Sequence, residues 1–192
     1  MKSNKEILKL LAKNKPFWSN LGFGYEDPKK AVRYFCTPMG ALIFASLGVD
    51  GIHYCTIPSL GEYVYVVNPM PQDDRYVVPV AKNLSDFMSL IAAMQGTQLI
   101  DQLIGWDKAT FEATLNEHLA DNSDKRTADL DDMKKIFECT PMNAPYEYIH
   151  GICDHYDTSV IQYTSEYYET LGLKPVEGQG SDFFSVTVIR KK

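Results

Sequence analysis

The sequence predicts an α+β fold: an antiparallel sheet meander with helices packed on it, plus a C-terminal helical extension ending in a strand. Three observations carry this. Residues 51–57, 62–67 and 75–80 are rich in Val, Ile and Tyr, side chains that suit a pleated, half-buried surface. The links between these runs, SLGE and NPMPQDD, are turn formers and too short for a parallel crossover, so consecutive runs pair antiparallel. Leu84, Phe87, Met88 and Ile91 then recur at helical spacing behind Asn83 or Ser85, either of which can cap, which lays a helix over 84–94 across the sheet.

At the start of the chain, Ile7, Leu8, Leu10 and Leu11 among lysines give a short amphipathic helix over 5–13, ended by Pro16. Packing on the domain is its expected role, because so short a helix with four aliphatics is a weak membrane anchor. The stretch Phe17–Tyr25 is aromatic and glycine-rich. Its glycines permit positive φ and its rings need a surface to cover, but it lacks the third glycine and the GK[ST] ending of a phosphate loop. Asp27-Pro28 opens a helix with Ala31, Val32, Tyr34 and Phe35 inside and Thr37-Pro38 beyond its end. Residues 41–47 form a fourth strand, closed by Gly48-Val49-Asp50-Gly51.

Beyond the central sheet, 96–104 reads as a short apolar helix broken at Gly105. Residues 107–119 read as a longer one, with Ala109, Phe111, Leu115, His118 and Leu119 sharing much of a face. The polar run Asp121–Arg126 is the best boundary in the chain. It divides an α+β domain over 1–120 from an extension over 121–192, the two packed into one compact unit. The extension holds helices at 128–139, 145–155 and 165–171, a short segment at 160–164 and a final strand at 183–190. In that strand Val186 and Val188 point one way and Thr187 and Ile189 the other.

Hydrophobic residues make up 45% and charged residues 23%, ordinary proportions for a globular protein. No apolar run approaches the roughly 18 residues that span a bilayer. The apolar residues 7–12 are too few, and too soon followed by lysines, for a secretory signal. Cys36, Cys55, Cys139 and Cys153 lie at irregular spacing with no CxxC, which reads as buried thiols in a reducing compartment; the expected location is cytoplasmic. The net charge of −6 is unevenly placed: residues 1–34 hold eight Lys/Arg against three Asp/Glu, and the rest hold 11 against 22. An acidic body argues against a nucleic-acid surface and fits a basic protein partner, although acidity also serves solubility.

Several features between Gly48 and Phe87 resemble the SUKH (Smi1/Knr4-like) superfamily. They are Gly48-Val49-Asp50-Gly51 before an aromatic strand, a glycine turn at Gly61, Val64-Tyr65 in the next strand, and a strand entering the helix start Ser85-Asp86-Phe87. The family's Asn-Gly-Gly lead-in is not visible before Pro38, and residues 121–192 lie outside the pattern. The resemblance implies an α+β domain without catalysis that binds a protein. Bacterial members are commonly immunity proteins that neutralise toxins, often nucleases.

The residues that could carry chemistry each have a plainer reading beside them. His53 and Cys55 leave one face of a strand and would supply two zinc ligands, but no second pair stands at ligand spacing. His150, Cys153, Asp154 and Asp157 follow i, i+3, i+4 and i+7, so one helix face would present four metal-binding side chains; a metal-dependent enzyme on this cluster is the alternative function. HExxH and GxSxG are both absent. A small-molecule sensor using Phe17–Tyr25 is a third reading. The expected protein is non-catalytic and needs no metal or cofactor.

Its partner would be a basic protein, with neither nucleic acid nor membrane involved. Glu62, Asp73 and Asp74 at strand ends would steer the encounter, and Tyr63 and Tyr65 would supply contact area. Alternation puts Tyr63 and Tyr65 on one face and Val64 and Val66 on the other. If the valines fill the core, the tyrosines meet either solvent or a covering C-terminal segment, and in the second case the C-terminal tyrosines take the role. Six of the 12 tyrosines (Tyr146, Tyr148, Tyr156, Tyr163, Tyr167 and Tyr168) crowd into 23 residues there. Closing a composite core over the sheet is their expected task, and a partner surface is the other.

Overall fold

The computed structural model describes residues 2–120 and 123–174, so the strand expected over 183–190 lies outside the described residues. Among the described residues six strands lie in chain order in one antiparallel sheet: β1 (Phe17–Trp18), β2 (Phe23–Tyr25), β3 (Leu42–Ser46), β4 (His53–Thr56), β5 (Val64–Val67) and β6 (Val77–Ala81). The short links between β1 and β2 and from β3 through β6 enforce antiparallel neighbours, while the longer stretch over residues 26–41 brings β3 back beside β2. The aromatic, glycine-rich stretch is therefore sheet: Phe17 pairs with Gly24 and Trp18 with Phe23 around a 3-10 turn. Gly22 ends that turn at φ 61°, and a Cβ there would come within 2.6 Å of Leu47 Cδ1, so only glycine fits.

Among the described residues six helices flank the sheet: α1 (Asn4–Asn14), α2 (Leu84–Met94), α3 (Lys108–Ala120), α4 (Asp124–Phe137), α5 (Pro145–Cys153) and α6 (Ser165–Leu171). α1 opens on a capping box, in which Ser3 accepts from the Glu6 amide and Glu6 accepts from that of Ser3. Asn83, one of the two expected caps, accepts from the Asp86 amide at the head of α2. Among the described residues, no helix is long and apolar enough to cross a membrane.

Two expected helices are absent. Asp27-Pro28 starts a turn, with Asp27 Oδ1 accepting from the Lys29 amide and the Asp27 carbonyl from those of Lys30 and Ala31. The chain then stays irregular because its polar groups bond elsewhere. Arg33 donates to the carbonyls of Pro38 and Ala41, and the Tyr34 amide donates to Thr37 Oγ1. Over 96–104 there are turns and a 3-10 helix, Leu103–Gly105. Here Thr97 is committed to distant partners: its amide and hydroxyl donate to the Leu21 carbonyl, and its own carbonyl accepts from Tyr54. Tertiary bonds override a weak helical pattern.

Alternation gives the sheet two buried faces. Phe44, Tyr54, Val64, Val66, Val78 and Val80 meet Ile7 and Leu11 of α1, most of α2, Phe111, the α4 residues Leu130, Met133 and Phe137, and Ile149. Residues on both sides of positions 121–122 thus share this core. The opposite face presents Ile43, Cys55, Tyr65, Val67 and Val77. Among the described residues no long helix covers it; Ala31, Phe35 and Cys36 pack there with Tyr156, Ile161, Tyr163 and Tyr167 from the C-terminal segment. A bulge between Ile43 and Ala45 lets β3 serve both faces.

Candidate partner-binding groove

Val64 is fully buried on the helical side, so Tyr63 and Tyr65 do face the other way. The covering segment, not solvent, meets them. Tyr65 is 0% exposed and shares a 2.6 Å hydrogen bond with the Tyr156 hydroxyl. Tyr63 is half-buried, its ring centroid 5.0 Å from that of Tyr156. As a free contact surface Tyr65 is therefore excluded: a segment 91 residues away in sequence occupies its face.

The acidic residues separate. Val64 pairs with Ala81 and Val67 with Val77, so Glu62 leaves one end of the β5–β6 ladder while Asp73 and Asp74 stand at the other. Glu62 is exposed, and its carbonyl accepts from Asn4 Nδ2 of α1. Asp73 and Asp74 differ in what they have free. Asp73 Oδ2 accepts from both Nε (2.7 Å) and Nη2 of Arg75, which holds its carboxyl below the usual carboxylate range. Among the described residues, no ion pair engages Asp74 or Asp157.

Beside Asp74, between β6 and the C-terminal segment, lies a groove of about 500 Å³. Among the described residues β6 is the last strand of the sheet, and Cys153 Sγ donates to the Pro79 carbonyl across it. Tyr76, Tyr156, Tyr163 and Tyr167 line the groove with Asp74 and Asp157. The rings are held by one another. Tyr163 stacks on Tyr167 at 4.0 Å between centroids, Tyr76 stands edge-on to Tyr167 at 5.9 Å, and Phe35 braces both. Burial raises the Tyr163 and Tyr167 phenols, and the negative charge of Asp74 adds to the rise at Tyr167. At Tyr156 burial again leads, and Asp157 contributes a smaller rise. The two carboxylates thus act on different rings along one groove. Arg75 also lines it, ion-paired with Asp73, and its charge is still felt at Cys153, where it opposes part of the rise that burial causes.

The other constellations do not assemble. α5 stops at Cys153, so Asp157 leaves the helix face that was to carry four ligands; its Oδ1 accepts from the Ser159 amide instead. The His150 ring lies 4.1 Å from that of Tyr146. Among the described residues, no three His, Cys, Asp or Glu side chains converge to hold a metal ion. His53 and Cys55 share a face, but His53 lies between the Gly51 carbonyl and Thr37 Oγ1. Ser46 sits opposite His53 in the ladder and donates to Glu26 Oε1, while the imidazole nitrogens bond to Gly51 and Thr37. Burial pushes the Cys36 thiol up to about 11, Cys55 to about 12 and Cys153 to about 11, leaving all three protonated at neutral pH. Trp18, Leu21 and Phe23 of the supposed sensor loop are core residues, and the Trp18 indole donates to Asp132 Oδ2.

Sequence reasoning missed Tyr76 and Phe35, two of the residues that shape the groove. Tyr76 closes the β5–β6 hairpin, its carbonyl accepting from the Asn68 amide, and Phe35 was placed in a helix that does not form. The density of tyrosines after residue 145 was the signal available, and it named Tyr156, Tyr163 and Tyr167. No protein family, curated protein or solved structure matches the chain.

Proposed function

We propose that this protein is a non-catalytic, cytoplasmic binding protein of the SUKH type that engages and neutralises a basic, toxin-like protein. The observation that carries the reading is the groove beside β6, where unneutralised Asp74 and Asp157 stand along a row of tyrosines. Carboxylates of this kind steer a basic partner into contact, and half-buried tyrosines provide apolar area with polar tips at little entropic cost. The protonated thiols and the fully engaged His53 support a role without covalent or acid–base chemistry. In this reading Asp73 and Asp74 are the steering residues of that turn, Asp73 ion-paired with Arg75 and Asp74 in no ion pair among the described residues.

Capture of partners from the source cell by the wild-type chain and by Asp73→Lys, Asp74→Lys, at low and high salt, tests this reading. A basic protein retained by the wild type, released by salt and lost from the double variant is expected. Capture of no basic protein, or equal retention by both chains in both salts, would overturn the reading.

A further inference from the structure

The groove is small for a partner's helix or strand. Its volume, about 500 Å³, is that of a site that encloses a small molecule or one side chain. Protein interfaces concentrate their energy where such a side chain enters a desolvated pocket. The lining then says which side chain. An anionic one would meet the unpaired carboxylates of Asp74 and Asp157, and the lining cation Arg75 is already ion-paired with Asp73. A purely apolar one would leave both carboxylates unanswered. A cation answers them and gains from the rings as well.

Between the two cations, the lining favours the flat one. A guanidinium is weakly hydrated, packs against aromatic rings and spreads five N–H donors over a fixed fork, whereas an ammonium is a strongly hydrated point charge. The acceptors here are spread in the same way. Asp74 acts on Tyr167 at one position and Asp157 on Tyr156 at another, with the Thr158 and Ser159 region on the same wall. The Ser159 amide donates to Oδ1 of Asp157, and the Ser159 side chain and amide together hold that carboxyl below the usual range, so it stays charged. The ring positions are fixed beforehand by the Phe35–Tyr76–Tyr163–Tyr167 packing, so little side-chain order has to be imposed on binding.

We infer that the groove between β6 and the 156–167 segment is an arginine pocket, which receives one arginine side chain of the partner. This rests on the binding-protein reading and adds the chemistry of its central contact. The probe is acetyl-Gly-Arg-Gly-amide, titrated into the full chain and followed by tyrosine-ring NMR shifts, with the lysine and citrulline peptides as comparisons. The arginine peptide is expected to bind about tenfold more tightly than the uncharged citrulline peptide, and more tightly than the lysine one. Tyr167→Leu and Asp157→Asn are each expected to weaken it. The asparagine variant keeps an oxygen for the Ser159 amide, so it removes charge while leaving the turn folded. Equal binding of the citrulline or lysine peptide, no binding of the arginine peptide, or binding indifferent to both variants would overturn the assignment. If the arginine peptide fails while a captured partner still depends on Asp73 and Asp74, the pocket assignment falls and the binding reading stands. If both fail, both are wrong.

Discussion

His53 shows how far one residue's surroundings can set its charge. A carbonyl only accepts, so the 2.8 Å contact with Gly51 puts the ring hydrogen on Nδ1 and leaves Nε2 to accept from the Thr37 hydroxyl at 3.2 Å. Tyr34 stacks over the ring and fills the space where a Cβ on Gly51 would stand, 2.5 Å from Tyr34 Cζ. Burial holds the His53 pKa below its ordinary value; the Gly51 carbonyl offsets part of this and Arg33 adds to it. The unfolded chain therefore takes up a proton first as pH falls. The stability that His53 contributes is complete above the unfolded value of about 6.5 and is lost as pH falls toward the lower folded value. Urea denaturation across that range is expected to show stability falling with pH, with a smaller slope in His53→Gln. An unchanged slope in the variant would show that the ring is not the titrating group.

The two sides of β5 also differ residue by residue. Val64 is fully buried among apolar groups, so Val64→Asp is expected to cost several kcal/mol, since an unpaired carboxylate has no answering charge there. Tyr65→Phe should cost only about 1 kcal/mol, because it removes one hydrogen bond and leaves the half-buried Tyr156 hydroxyl able to reach water. Equilibrium denaturation of both variants checks the contrast, and equal losses would contradict it.

At the scale of elements, α1 illustrates how a short helix is made to count. Its capping box satisfies two amides, Asn4 bonds both the Glu62 carbonyl and the Leu84 amide, and Ile7 and Leu11 are buried beneath it. Ser3→Ala is expected to lower stability by about 1 kcal/mol, read as a shift in denaturation midpoint at constant slope. The elements legible in the sequence are those whose signal is local. β3 to β6 announced themselves by β-branched and aromatic runs between strong turns, and α2 by Asn83 and the Leu84–Ile91 spacing. What failed depended on side-chain bonds and cover that carry no periodicity. The Pro28 signal promised a helix, but Arg33 donates to the carbonyls of Pro38 and Ala41, and Thr37 Oγ1 accepts from the Tyr34 amide. The groove was half legible for the same reason. The facing of Tyr63 and Tyr65 follows from alternation, whereas the cover over Tyr65 comes from an irregular segment with no periodicity to read.

At the scale of the whole molecule, the sheet is enclosed by two covers of different construction. One is helical and the other irregular and aromatic, and both draw on residues from the two ends of the described chain. The polar run after residue 120 marks a boundary in sequence, yet Met133 and Phe137 beyond it are buried with Leu11, Trp18 and Leu90 before it. The Trp18 indole donates to Asp132, and Asn20 Nδ2 donates to Asp129, so polar groups repeat the same connection. A unit built this way cannot lose α4 without opening the helical side of the sheet. Met133→Ala is therefore expected to cost about 2–5 kcal/mol and to lower a single unfolding transition of the entire chain. With Trp106→Phe as the common background, Trp18 fluorescence reports the contact of β1 with α4, and far-ultraviolet circular dichroism reports the whole, so the two probes should give one midpoint with and without Met133→Ala. Separate midpoints, with only the later helices lost early, would show that the chain after residue 120 folds on its own account and that the shared core is not what holds the molecule together.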